Sequence, residues 1–351
     1  MVDVSNSSRP SGVAGGVDVL DLAPSEEIRE FARSAREEFA SLFPIGDARA
    51  LIDGAERALD HWDQLVAQGY LAVGLPEDAG GFGTLADLSH VLEECGRAIL
   101  PVPLTMTIAA AQTLVQLGAE LDEVSLPAGI ALDDGGPLVV IDGELAAEVV
   151  VLRETADGVL ATRIDVVGVE RERATDVVDP GRASAVFERG AGTPVNEFTM
   201  AIDVDTALAP ARFCLAADLV GTAGRALDES IAHVLVRRQF GQVIGSFQAV
   251  KHVLADCYVG IERARSLVVG AAAAIASGDR ALSAHLSMLA KATAGDAALR
   301  ATGLQVQLLG AMGLTWEADS HILVRRVQQT ARAFGTPGAL FARAASKAVN
   351  G

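Results

Sequence analysis

A glycine-bearing turn interrupts a long helical pattern in the C-terminal third of the chain, and it reads Arg237-Arg-Gln-Phe-Gly-Gln-Val-Ile-Gly-Ser-Phe-Gln248. Before the turn, apolar residues recur every fourth position from Leu215 to Leu235, which predicts one face of a long helix. After the turn, helical patterns extend over residues 248–275 and 281–309. The segment 209–351 is therefore predicted to be an antiparallel four-helix bundle.

The turn places a fixed cation, two aromatic rings and an amide close together. Arg237 presents a planar fork of donors that suits phosphate oxygens, and Phe240 and Phe247 can pack on a flat ring system. With the amide of Gln248, these side chains form a candidate ligand site. The alternative is an ordinary helix-to-helix turn in which Arg237 and Arg238 are solvated, since a helix end commonly carries arginine.

A second glycine-bearing run follows the last long helical pattern, and it reads Gln305-Val-Gln-Leu-Leu-Gly-Ala-Met-Gly-Leu-Thr-Trp-Glu317. Gly310 and Gly313 would let the backbone approach a phosphate or a ring closely. The alternative is a helix C-cap followed by a loop, which is the usual meaning of a glycine at a helix end.

Upstream of the bundle, the character of the sequence changes twice. Helical spacing predicts a helical domain over residues 23–122, including a helix over 48–70 whose buried face carries Leu59, Trp62 and Val66. Short β-branched runs separated by Gly and Asp predict an antiparallel β domain of roughly five to eight strands over 123–208. Residues 1–22 are predicted to be a disordered tail. The predicted fold class is therefore α+β, with the order helical domain, β domain, helical bundle.

Charge and composition exclude several classes of partner. The 351 residues carry 28 Lys and Arg against 46 Asp and Glu, which gives a formal net charge of −18. Nucleic acid and anionic membrane surfaces require clustered positive charge, so neither is expected as a main partner. The three cysteines form no CxxC pair, which favours a reducing cytoplasm, and the six histidines lack zinc-ligand spacing. No membrane span and no metal site are expected.

The two glycine-bearing runs, at this separation, resemble those of the acyl-CoA dehydrogenases. In that family, an Arg-x-x-Phe-Gly…Gln stretch and a Gln-x-x-Gly-Gly-x-Gly stretch grip the adenosine and pyrophosphate of an FAD that is bound mainly in a neighbouring subunit. The resemblance covers about residues 25–345 and implies the same helix, β, helix fold. The residues that it assigns to cofactor binding are Arg237, Phe240, Phe247, Gln248, Gln307, Gly310 and Gly313, with Ala311 in place of the second glycine.

The resemblance also implies a catalytic base that this sequence lacks. Family members remove a proton from the carbon next to the thioester with a Glu that occupies one of two positions, and here Ala211 and Phe334 occupy those positions. Neither side chain can accept a proton. The nearest carboxylate on the helix of Ala211 is Asp218, which is either a relocated base or a solvated helix position. The Thr-Glu-Pro-x-x-Gly-Ser-like loop beside the flavin ring is also missing from residues 126–136.

The retained FAD-tail residues and the missing base together suggest a non-catalytic subunit. Some actinobacterial-type members form α2β2 assemblies in which one chain of each pair has a complete site. The resemblance implies that this chain is the partner chain of such an enzyme. It would act with a catalytic sibling on an acyl-CoA substrate such as a steroid-derived thioester and pass electrons to an electron-transfer flavoprotein or similar acceptor. The alternatives are a self-sufficient homotetramer with a relocated base and a flavin-free scaffold of the same fold.

Overall fold

A computed structural model describes residues 25–119, 121, 126–174 and 178–350, so the predicted tail over 1–22 lies outside the described residues. The order of helical, β and helical segments is confirmed, and the fold is α+β. Five helices form the N-terminal segment. They are α1 (Glu26–Leu42), α2 (Ile45–Ile52), α3 (Trp62–Ala67), α4 (Leu85–Ala98) and α5 (Leu104–Gln116).

The helix predicted over residues 48–70 is wrong, because the chain forms two short helices there. Helix α2 ends at Ile52, and the next residues, Asp53 and Gly54, turn the chain, with Gly54 at a φ of 100°. Aspartate and glycine favour turns over helix interiors, so they end the helix although the apolar spacing continues. Leu59 is consequently exposed, whereas Trp62 is buried at the start of α3.

The middle segment contains seven described strands in two sheets. They are β1 (Ala128–Leu132), β2 (Leu138–Val140), β3 (Glu148–Thr155), β4 (Gly158–Asp165), β5 (Glu172–Arg173), β6 (Ala185–Phe187) and β7 (Thr193–Met200). The sheet orders are β1-β3-β4-β7 and β2-β6-β5. Every pair is antiparallel, as predicted, except β1 and β3, which run parallel with Ala128 opposite Glu148. A parallel pair requires a longer connection than a hairpin. Strand β2 and its turns lie between β1 and β3 and supply that connection.

The C-terminal segment is a helical domain built on three long helices. Its elements are α6 (Val204–Ala207), α7 (Ala209–Val236), β8 (Arg238–Gln239), β9 (Gln242–Val243), α8 (Gln248–Ser277), α9 (Arg280–Leu309), α10 (Ser320–Thr330) and α11 (Pro337–Asn350). Helices α7, α8 and α9 pack on one another, and α10 and α11 pack against α9. The helices predicted over 248–275 and 281–309 are confirmed to within two residues at each end.

The apolar row of α7 does not stay on one face. Leu215, Leu219 and Ala223 are buried, but Ile231 and Leu235 are exposed. A step of four residues advances about 40° beyond a full turn at 3.6 residues per turn, so five steps carry the row to the opposite side of the helix. The row therefore begins in the core and ends on an exposed apolar surface beside the glycine-bearing turn.

Helix α7 also holds the two helical segments together through a close crossing with α4. A Cβ added to Gly221 would lie 1.8 Å from the carbonyl oxygen of Glu93, and one added to Gly96 would lie 1.8 Å from that of Asp218. Only glycine permits this approach of two backbones. The crossing fixes the first half of α7, which carries Ala211 and Asp218, against the N-terminal segment.

Among the residues that the structure describes, no helix is both long and apolar enough to cross a membrane. The same residues contain no group of three or more His, Cys, Asp or Glu side chains arranged to hold a metal ion.

Candidate functional site

The turn after α7 is a preformed β-hairpin. Strands β8 and β9 pair as Arg238 with Val243 and Gln239 with Gln242, and the two residues between them, Phe240 and Gly241, have φ angles of 51° and 82°. Positive φ at both central residues matches the right-handed twist of the paired strands. The amide of Ile244 donates to the carbonyl of Arg237 at 2.8 Å and closes the base of the hairpin.

The hairpin presents an aromatic ring to solvent. Phe240 is 91% exposed, and its ring meets that of Phe247 edge to face at a centroid distance of 6.2 Å. A phenylalanine at positive φ costs on the order of 1–3 kcal/mol of backbone strain, and folding gains little from a ring that stays in water. Arg237 and Arg238 are also exposed, so the hairpin fits both a ligand site and an ordinary turn with solvated arginines.

The second glycine-bearing run leaves α9 through a short 3-10 turn over Gly310–Leu314. Gly310 has a φ of 64° and a ψ of −138°, a backbone region open essentially to glycine alone. A Cβ on Gly313 would lie 2.8 Å from the carbonyl oxygen of Val306. Both glycines are therefore required by the shape of the turn itself. The position where the family has a further glycine holds Ala311, which is exposed.

A hydrogen bond of 2.6 Å from the Gln305 amide to the Glu229 carboxylate joins the last turns of α9 and α7. Arg237 lies eight residues after Glu229, which is about 12 Å of helix rise, and Gly310 lies five residues after Gln305, which is about 8 Å. The structure thus brings the two runs to the same end of the bundle. Of the seven predicted cofactor residues, Phe247 is half-buried and Gly313 is buried, and the exposed ones are Arg237, Phe240, Gln248, Gln307 and Gly310.

The two positions assigned to a catalytic base lie close together. Ala211 is fully buried at the start of α7, and Phe334 is half-buried in the turn between α10 and α11, at a φ of 52°. Arg212, the neighbour of Ala211, donates from Nε to the carbonyl oxygen of Phe334 at 3.2 Å. Its Nη1 pairs with the carboxylate of the buried Asp205 at 3.1 Å. A buried arginine already paired with a carboxylate thus joins the two positions.

Asp218 is fully buried, so its interpretation as a solvated helix position is wrong. Arg182 donates to its two oxygens at 2.7 and 3.2 Å, and Thr105 Oγ1 donates at 2.9 Å. A general base needs a free lone pair within reach of the substrate. Three donors already occupy this carboxylate, so its geometry suits a structural ion pair better than proton abstraction.

Arg182 extends this ion pair across the chain. It lies between the helical segments, donates to Thr330 Oγ1 at 2.9 Å and has its Nε 3.5 Å from the carboxylate of Asp142. Burial acts to lower the pKa of Arg182, but the charges of Asp218 and Asp142 outweigh it and raise that pKa. The guanidinium therefore stays charged and joins the middle segment to α7 and α10. Sequence reasoning missed it because its partners lie 36 to 148 residues away.

Comparison with known proteins shows that two family models match the chain. The model "Acyl-CoA dehydrogenase, N-terminal domain" matches residues 25–122, and the model "Acyl-CoA dehydrogenase, C-terminal domain" matches residues 202–345. The acyl-CoA dehydrogenase IpdE2 of Mycobacterium tuberculosis is 32% identical over 339 residues, which cover 93% of this chain and 98% of the relative. The chain belongs to the acyl-CoA dehydrogenase family.

Solved structures of the family share the fold over nearly the whole chain. A variant of the Tcur3481–Tcur3483 steroid acyl-CoA dehydrogenase superposes with a TM-score of 0.78 at 27% identity, covering 92% of this chain and 98% of that one. The ChsE4–ChsE5 complex from Mycobacterium tuberculosis gives a TM-score of 0.77 at 21% identity, covering 94% and 99%. The second likeness concerns the fold alone. The roles of the individual site residues stay predictions.

In this family member, replacing Lys291 with methionine is expected to flatten the dependence of stability on pH. Lys291 is fully buried and donates from Nζ to the carbonyl oxygen of Ala331 at 3.1 Å. Burial, and then the positive charge of Arg212, lower its pKa from 10.5 to about 7. Between these values the unfolded chain binds the proton and the folded chain does not. Stability should therefore fall as the pH is lowered through this window, by up to about 1.4 kcal/mol per pH unit.

The measurement is the denaturant midpoint of both proteins from pH 7 to pH 10. As the pH rises, the denaturant midpoint of the wild type should increase relative to that of Lys291→Met. The destabilisation that the buried amine causes at pH 7 should be mostly gone near pH 10. Lys251→Met, at an exposed position of α8, is the matched control and should follow the wild type. Parallel curves for the wild type and Lys291→Met would show that the buried amine does not titrate in this range.

Proposed function

We propose that this chain is the non-catalytic partner subunit of an FAD-dependent acyl-CoA dehydrogenase. It pairs with a catalytic sibling in an α2β2 assembly and completes the FAD site of that sibling. The observation that carries the proposal is the strained hairpin, which holds the 91% exposed ring of Phe240 beside Arg237 at one end of the bundle. The proposed location is the cytoplasm, and the proposed electron acceptor is an electron-transfer flavoprotein or a similar protein.

The residues at this end of the bundle fit the tail of FAD. Arg237 is exposed, and none of the described carboxylates forms an ion pair with it, so its donors are free for phosphate. Phe240 offers a ring face for stacking, and the Gly310 turn lets a ligand approach the backbone. When bound, FAD would accept a hydride from the β carbon of the thioester, while this chain binds and orients the FAD tail.

The end of α7 supports a partner chain at the same place. Leu235 and Val236 are exposed, and they directly precede the hairpin. Single exposed apolar residues are common, but several of them within six residues of one another, one a strained aromatic residue, are typical of an interaction site. A sibling that covers these residues would bring its own FAD against Arg237 and Phe240.

The positions of the catalytic base favour a partner role over a self-sufficient enzyme. Neither Ala211 nor Phe334 has a carboxylate, and the carboxylate of Asp218 is engaged by Arg182 and Thr105. Proton abstraction would then depend on the Glu of the sibling. The steroid enzyme among the similar structures supports a bulky, steroid-derived CoA thioester as the substrate of the assembly.

The test is to purify the chain alone and together with a co-expressed acyl-CoA dehydrogenase that retains Glu before its Gly-Thr. Flavin absorbance per chain and turnover of a steroid-derived CoA thioester are measured for each preparation. Alone, the chain should carry little FAD and show no turnover. The assembly should hold one FAD per pair of unlike chains and be active. A full complement of FAD with turnover in the isolated chain would establish the self-sufficient enzyme instead, and a flavin-free assembly would establish the scaffold.

A further inference from the structure

Arg49, on helix α2 of the N-terminal segment, binds the loop over residues 315–319, next to the glycine turn. Its Nη1 donates to the carbonyl oxygen of Trp316 at 2.7 Å, and its Nη2 donates to that of Glu317 at 3.0 Å. Nη2 also pairs with the carboxylate of Asp319. These partners lie 267 to 270 residues along the chain. One side chain of the N-terminal segment therefore binds three residues of one loop in the C-terminal domain.

The side chains of residues 314–317 in this loop are exposed. Leu314 is 80% exposed, and Trp316 is 46% exposed with its indole stacked on the ring of His321 at 4.6 Å. Thr315, next to the turn, donates from its amide and its hydroxyl to the carbonyl of Met312 at 3.0 and 2.9 Å. Ser320 Oγ donates to the carbonyl of Gly313 at 2.9 Å, and this bond links the turn to the segment that Arg49 binds. Loops with so little buried apolar area open easily. Gly313 is packed against α9 on one side, and the bond from Ser320 fixes its carbonyl on the loop side.

We propose that Arg49 is a positioning residue for the FAD half-site. The inference rests on the proposed function, because it assigns Arg49 to the site formed by Gln307, Gly310 and Gly313. By fixing the loop at Trp316 and Asp319, Arg49 keeps Ser320 in contact with the glycine turn. The turn then keeps the backbone conformation that binds FAD. The N-terminal segment thereby controls the affinity of the bundle end for the cofactor, although Arg49 itself does not touch it.

The experiment compares Arg49→Met and Arg49→Lys with Arg33→Met in the co-expressed assembly. Arg33 is a surface arginine on α1 whose ion pair is local, with Glu30. The FAD concentration for half-maximal activity should rise about tenfold in Arg49→Met, because the remaining loop is free to move, whereas kcat at saturating FAD stays unchanged. Lysine cannot present a planar fork to two carbonyls, so Arg49→Lys should rescue only in part. Arg33→Met should match the wild type.

A second readout uses the full chain alone and needs no cofactor. The chain has two tryptophans, and Trp62 is buried, so iodide quenching of fluorescence reports mainly on Trp316. Quenching should increase in Arg49→Met and not in Arg33→Met. An unchanged FAD concentration for half-maximal activity in Arg49→Met would overturn the inference. A fall in melting temperature large enough to explain the whole loss of FAD affinity would overturn it as well. An assembly whose wild type holds no FAD would instead overturn the proposed function, while the quenching result would still report on the loop.

Discussion

Replacing Asp218 with alanine is expected to destabilise the fold by about 3–5 kcal/mol, which is the typical cost of leaving a buried charge without its partner. Asp218 is fully buried, and it accepts hydrogen bonds from Arg182 at 2.7 Å and from Thr105 at 2.9 Å. Without it, the guanidinium of Arg182 remains in the interior, and Asp142 at 3.5 Å is its nearest remaining carboxylate. Because Arg182 joins the middle segment to α7 and α10, the loss should affect the packing of the whole chain.

The measurement is equilibrium unfolding in guanidinium chloride, with Asp256→Ala as the matched control. Asp256 is an exposed aspartate on α8, and its replacement should change stability by less than about 0.5 kcal/mol. The double variant Arg182→Met/Asp218→Leu removes both charges and should recover much of the loss, since apolar replacements of a buried pair are often neutral. A small effect of Asp218→Ala would contradict a structural ion pair and would restore Asp218 as a candidate base.

The sequence predicted best what depends on local pattern. The helices of the C-terminal domain were predicted to within two residues at each end for 248–275 and 281–309, because helical spacing persists there over seven or more turns. Glycine predicts the interruption between α7 and α8, where the structure shows a hairpin with Phe240 and Gly241 at positive φ. A strained aromatic residue leaves no local signal, so the sequence could place the turn without indicating its strain.

What the sequence did not predict depends on distant partners. Arg182 pairs with Asp218 across 36 residues, and Arg49 binds the loop at Trp316 across 267. The sequence around an arginine does not show whether its side chain is solvated or buried, because its burial depends on residues far along the chain. The helix predicted over 48–70 failed for a local reason, since Asp53 and Gly54 favour a turn more strongly than the apolar spacing favours a helix.

The two ends of α7 differ in organisation. Arg212 joins the two base positions, bonded to the carbonyl of Phe334 and to Asp205, so that region is organised as an internal ion pair. The far end of α7 instead bears an exposed ring at a cost in backbone strain. Strain persists at functional sites because the surrounding structure overdetermines it. The proposed partner role accounts for both, and it predicts that strain and cofactor affinity can be separated at Phe240.

Replacing Phe240 with glycine should change stability and cofactor affinity in opposite directions. Glycine adopts a φ of 51° without strain, so the free energy of unfolding of the isolated chain should rise, by up to about 2 kcal/mol, and the denaturant midpoint should rise with it. The assembly should at the same time lose FAD affinity by about 5- to 150-fold, because stacking of a base on an aromatic ring is worth about 1–3 kcal/mol. FAD titration of the apo assembly, followed by flavin fluorescence, measures the second effect.

The matched variant Phe240→Ala separates the two contributions of this residue. Alanine removes the ring but keeps a Cβ at positive φ, so FAD affinity should fall as it does in Phe240→Gly while stability gains nothing. If the ring serves only the hairpin, through its 6.2 Å contact with Phe247, both variants should lose stability and keep their FAD affinity. Equal FAD affinity in the wild type and both variants would remove Phe240 from the cofactor site and, with it, the observation on which the proposed function rests.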